Sequence, residues 1–290
     1  KEGKYVAKVG STGYETLEAA IKAVSSGKTV TLLDDITANG MDIKKSLTID
    51  FNGKTLTVEN PMVGSTGTET NAIRFLKSGK TTITVVLKNG TIKSSKARIL
   101  IQNYANLTVD NMTLDLSEQP LYGYVLSNNN GTTVINNTTI TAPSAAGSLA
   151  FDSCAFTTAY GDVSVTLRGS SVINGNVGFS RSNAGDQAAS LTLESGTING
   201  KLVDCGEGEG VTVTKTDAVS VAAPDGYKWV DGENGQTLAK IVMVAEVNGK
   251  QYETLQEAID AASKNQTVKL IADTTENVTM KTPYLTLDLN

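Results

Sequence analysis

Residues 6–52 and 244–290 align with each other without a gap at a constant offset of 238, and about 21 of the 47 positions are identical. VAKVGSTGYETLEAAIKAVSSGKTVTLLDDIT pairs with VAEVNGKQYETLQEAIDAASKNQTVKLIADTT, and LTIDFN pairs with LTLDLN. A repeat of this length divides the chain into a module over 1–224, a connector over 225–243 and the truncated start of a second module over 244–290. The connector, within APDGYKWVDGENGQTLAK, is rich in Gly and Asp and carries the sole tryptophan, Trp229. The chain reads as the interior of a longer array, and the start at Lys1 has no signal-peptide character.

Each copy opens on a helix followed by a strand. Leu17, Ala20, Ile21 and Val24 recur at i, i+3, i+4 and i+7 within 15–25, with Thr16 placed to cap and Gly27 suited to a helix stop. Leu255, Ala258, Ile259 and Ala262 rebuild the same face within 253–263. TVTLL at 29–33 follows as a short β run.

Helical periodicity is absent between 43 and 222. One series of short runs turns on Asn or Gly: DFNGKTLTV, LKNGTI, VDNMTL, INNTTI, LRGSSVI and LESGTI. A second precedes the later turns at a spacing of about 25 residues: AIRFL, RILIQN, GYVLSN, SLAFDS, VGFSRS and KLVDC. Two or three strands per period, with a residue that tolerates positive φ at a fixed corner, is the pattern of a solenoid that winds once per repeat. Aromatic residues are only 5% of the chain, and the abundance of Thr, Val, Asn and Gly agrees with an all-β class. A sandwich or barrel of short strands is the alternative; a leucine-rich repeat would need an L-x-x-L-x-L spacing that does not recur.

Several functions are excluded by composition. The chain has no histidine, so Ser-His-Asp and Cys-His catalysis and histidine-ligated metals are absent from it. A net charge of -5 without a basic run argues against nucleic acid. Cys154 and Cys205 have no metal-ligand spacing, and the sequence leaves open whether they are bridged. No metal or cofactor is expected, and no apolar stretch approaches the roughly 20 residues of a membrane span. N-x-S/T sites such as Asn106, Asn111, Asn130, Asn136, Asn137, Asn265 and Asn277 follow from Asn at corners and Thr in strands.

The residues Tyr14, Thr16, Leu17, Ala20, Ile21 and Ala23, followed by Gly27, Thr29, Val30 and Leu32, resemble the opening of pectin lyase-like right-handed β-helix proteins. The resemblance implies a right-handed single-stranded parallel β-helix with a short N-terminal amphipathic capping helix. It also implies asparagines stacked at corners, here Asn52, Asn111 and Asn136. Whole modules in tandem with GYKW connectors look like the adhesin-like surface proteins of gut Gram-positive bacteria, which implies an extracellular location on the cell surface or wall. The expected function is a non-enzymatic spacer or adhesin that binds a glycan or a host or neighbour-cell protein beside further copies of its own module. Self-association through the second copy is a further option.

Tyr104, Tyr122, Tyr124, Phe156 and Tyr160 are the candidate ligand contacts, because aromatic faces beside Asn and Gln suit sugars. The alternative is a polysaccharide lyase or glycoside hydrolase using Asp152 and Asp204 with Arg181. Aligned strand ends bring Asp152, Ser180 and Asp204 into line, and two rises of about 4.8 Å set the carboxylates roughly 9.6 Å apart, near the range of inverting glycosidases.

Overall fold

A computed structural model describes residues 4–64, 70–77, 81–154, 161–180, 187–203 and 210–290. The fold is predominantly β, with two short helices among the described residues: α1 (Leu17–Ala23) and α2 (Leu255–Ala261). The chain forms two compact units, one of Lys1–Pro224 with Trp229–Leu238, the other of Asp225–Lys228 with Ala239–Asn290.

In the first unit, successive strands pair in parallel within two sheets, and equivalent residues stack in ladders. In the larger sheet Val30, Ile49, Leu87, Val109, Ile135, Leu167 and Leu193 form one ladder. Leu56, Ile92, Leu114, Ile140, Ile173 and Ile198 form another. All of them are buried. The alternate positions carry Thr108, Thr166, Thr192 and Thr214, which are half-buried, so the period-2 pattern places aliphatics in and β-branched polar residues out.

The smaller sheet is built from the second strand series. Met41, Ile73, Ile101, Leu126, Phe151, Val177 and Leu202 stack in it, the last four at intervals of 25, 26 and 25 residues. Beside them runs a mixed ladder of Phe75, Asn103, Asn128, Ser153 and Phe179. Asn103 and Asn128 are fully buried and satisfy each other's surroundings. Asn103 Nδ2 donates to the Ala105 carbonyl at 2.9 Å and to Thr133 Oγ1 at 3.1 Å, while its Oδ1 accepts from the Ala105 N–H at 3.0 Å. Thr133 Oγ1 donates to Asn128 Oδ1 at 2.7 Å, and Asn128 Nδ2 reaches the Asp152 carbonyl at 3.2 Å. Buried amides of this kind are tolerated because every strong group is paired.

The corners of the larger sheet follow the expected residue type but not every expected position. Asn52, Asn89, Asn111 and Asn137 have positive φ of 51°, 63°, 53° and 47°. Asn136 is instead the last residue of the strand Gly131–Asn136, opposite Asp110, to which its Nδ2 donates at 2.7 Å. The register of INNTTI places its second asparagine at the bend. Asn111 Nδ2 donates to Asn89 Oδ1 at 3.1 Å, so these two corners stack directly. Leu33 also departs from expectation: the strand ends at Leu32, and Leu33 is exposed.

Antiparallel pieces close the ends of the first unit. Ala7–Val9 pairs antiparallel with Thr12–Tyr14 on one side and Thr29–Leu32 on the other. At the opposite end Thr214 and Lys215 pair antiparallel with Thr237 and Gln236. Trp229 packs against the core and donates its indole N–H to the Val221 carbonyl at 2.9 Å. The middle of the connector therefore covers exposed strand edges, which would otherwise recruit other chains.

The two helices are fastened differently. Thr16 Oγ1 caps α1 by accepting from the Ala19 N–H at 3.1 Å, and Lys45 Nζ donates to the carbonyls of Lys22 and Val24 at 3.1 and 3.0 Å. Position 283, the counterpart of Lys45, is proline. In the second unit Thr254 and Glu257 form a capping box, and the Glu276 carboxylate accepts from the Leu255 N–H at 3.0 Å. That hydrogen bond, helped by the Thr274 hydroxyl, holds the Glu276 carboxyl below its ordinary value of 4.5. Its folded-state pKa is depressed, so its contribution is complete above the ordinary value and is lost as pH falls through the depressed one. Glu276→Ala is expected to speed amide exchange at Ala258 and Ile259 at neutral pH, with the difference from wild type vanishing in acid; equal exchange at neutral pH would show that the capping box suffices.

Candidate functional site

The outward side of the smaller sheet carries a row of polar side chains, with an aromatic pair at the start of one strand. Across it Asp42, Arg74, Gln102, Ser127, Asp152, Gly178 and Val203 stand opposite one another in register. Alternation puts them outside because Ile73 and Phe75, Ile101 and Asn103, and Phe151 and Ser153 on either side point into the core. The first pair is self-satisfied: Arg74 donates to Asp42 through Nε at 2.7 Å and Nη2 at 2.8 Å.

Asp152 is not satisfied in this way. Ser127 Oγ donates to its Oδ2 at 3.2 Å, while Oδ1 is closed to solvent and has no hydrogen-bond partner among the described residues. The residue as a whole is half-buried, so the carboxyl is the sequestered part. Burial pushes its pKa from 3.8 up to about 7, against the opposing Ser127 hydrogen bond. A carboxyl that titrates near neutrality is able to give or take a proton.

The aromatic part lies at the other end of these strands. Tyr122 is 50% exposed, and Leu121 beside it is 57% exposed. The Arg98 guanidinium lies 3.5 Å from the Tyr122 ring centroid, and its Nε donates to the Tyr122 carbonyl. Tyr124 begins the strand Tyr124–Asn128, and its ring centroid is 6.2 Å from that of Tyr122 at an interplanar angle of 53°. Gly123 makes the close approach possible, since a Cβ there would lie 2.7 Å from the Arg98 carbonyl oxygen. Tyr122 and Tyr124 are thus brought together as a pair.

Tyr104 is apart from them. It is only 8% exposed, and its carbonyl accepts from Asn130 Nδ2 at 2.9 Å, so it closes a corner and offers little ring face. Phe156, Tyr160, Arg181 and Asp204 lie outside the described residues. The register also alters the acidic alignment: Asp152 stands opposite Gly178, Gly178 opposite Val203, and Ser180 opposite Cys154. Ser180 is therefore not the counterpart of Asp152, whose place in the neighbouring strand is taken by Gly178. Cys154 is half-buried at the end of its strand, and Cys205 is outside the described residues.

Arg98 and Ser127 were not legible as site residues. Arg98 opens the run RILIQN, which marks it only as the residue before a strand, and its partner ring is 24 positions away.

Compared with protein-family models, curated proteins and solved structures, the chain matches none.

Proposed function

We propose that the first unit is a right-handed parallel β-helix of the pectin lyase-like kind, serving as a rigid, non-enzymatic module of a tandem-repeat bacterial surface protein and binding glycans on the outer face of its smaller sheet. The observation that carries this reading is the continuity of the buried ladders, with Leu126, Phe151, Val177 and Leu202 recurring once per 25 or 26 residues. In such a stack each turn contacts only its neighbours, so modules add without a redesigned core. The 238-residue repeat supports an array, and the paired tyrosines supply ring faces for sugars.

The test is retention of the purified chain on plant, mucin and microbial glycans, with released oligosaccharides scored in parallel. Retention without release, weakened by Tyr122→Ala, is the expected result. A chain retained by no glycan would leave only the spacer or a protein-binding role.

The raised pKa of Asp152 favours one second reading, a polysaccharide-active enzyme with Asp152 as its acid. Product release that disappears in Asp152→Ala would establish it in place of the binding role.

A further inference from the structure

Among the described residues Arg98 has no structural anion to serve. Its guanidinium lies on an exposed ring, its Nε is spent on a backbone carbonyl, and among the described residues no carboxylate lies within ion-pair range. Arg74, in the neighbouring strand of the same sheet, is instead neutralised by Asp42. Glu118, the carboxylate of the loop that carries Tyr122, is exposed and forms no ion pair with Arg98. Stacking fixes the plane of the guanidinium and leaves its two Nη groups as a fork that matches the paired oxygens of a carboxylate or sulfate. The Tyr122 ring lies against the guanidinium and the Tyr124 ring is 6.2 Å from that of Tyr122, so one ligand would meet charge and ring together.

We propose that Arg98, Tyr122 and Tyr124 form a subsite for an anionic group borne on a sugar chain, a sulfate ester or a carboxylate. The inference rests on the glycan-binding reading and narrows it to charged glycans. The chain's net charge of -5 opposes diffuse attraction of polyanions, so retention must come from a local site.

The experiment passes the full chain over immobilised dextran sulfate, hyaluronan and neutral dextran, comparing wild type with Arg98→Gln and Arg168→Gln. Arg168 is an exposed cation of the larger sheet, so its variant matches the change in charge away from the subsite. Wild type is expected to be held by at least one anionic matrix and not by dextran. Arg98→Gln should bind roughly tenfold more weakly or worse, as befits loss of a charge-assisted hydrogen bond. Arg168→Gln should match wild type. Retention on dextran sulfate alone assigns the sulfate, and retention on hyaluronan the carboxylate.

Equal weakening by both variants, or no preference over dextran, would overturn the subsite while leaving glycan binding intact. Failure on all three matrices sinks the subsite, and failure on the wider neutral panel as well sinks the glycan reading with it. Should Arg98→Gln lose the fold, Arg98→Lys, which keeps the charge but not the planar fork, is expected to show weakened retention, and unchanged retention would overturn the assignment.

Discussion

Asp152→Asn is expected to stabilise the protein at pH 8 and to leave its stability unchanged near pH 3.5. In the folded chain burial lifts the Asp152 carboxyl from 3.8 to about 7. A raised folded-state pKa means that the acid is comfortable in its neutral form below the ordinary value and costs stability as pH climbs through the shifted one. The cost is absent below about pH 4, grows up to about pH 7, and is complete above it. A shift of this size corresponds to about 4 kcal/mol at full ionisation. Asparagine keeps an acceptor for the Ser127 hydroxyl and carries no charge, so its unfolding free energy should lack this slope. The check is urea unfolding of both proteins at several pH values between 3.5 and 8. A variant no more stable than wild type at pH 8 would mean that Oδ1 has a partner in solution, such as a bound cation.

Asn103→Leu should lower unfolding free energy by about 3 kcal/mol, because it orphans a buried backbone donor and acceptor at once. Asn103 is fully buried and takes up both the N–H and the carbonyl of Ala105, together with the Thr133 hydroxyl. Leucine fills a similar volume but pairs with none of them. Thr108→Ala, on the outward side of the larger sheet, is the control and should move stability by no more than about 0.5 kcal/mol. A neutral or stabilising Asn103→Leu would show that the ladder of Phe75, Asn103, Asn128, Ser153 and Phe179 accepts apolar packing throughout.

The sequence was informative wherever a local rule applied. The helical faces at Leu17 and Leu255 lie inside the expected spans, with Thr16 and Thr254 as caps. Both strand series became strands. Local rules failed by small shifts at turns: Asn137 holds the bend expected of Asn136, and Leu33 lies just past the end of its strand. The same cause undid the alignment of Asp152 with Ser180. Gly178 stands opposite Asp152, because hydrogen-bonded register is fixed by the buried pairing of Phe151 with Val177 and not by residue count.

Sequence by itself determined the repeat, the β class, the short helices that open each copy and the absence of histidine chemistry, since each depends on residue type or on spacing within a few positions. Tertiary structure alone decided which side chains share a face. Turns absorb varying numbers of residues between strands, so only the completed stack places Arg98 over Tyr122, sets Ser127 beside Asp152 and closes Asp152 Oδ1 from water. The proton affinity of Asp152 arises from those meetings, because it depends on desolvation and on neighbours that are distant in the chain.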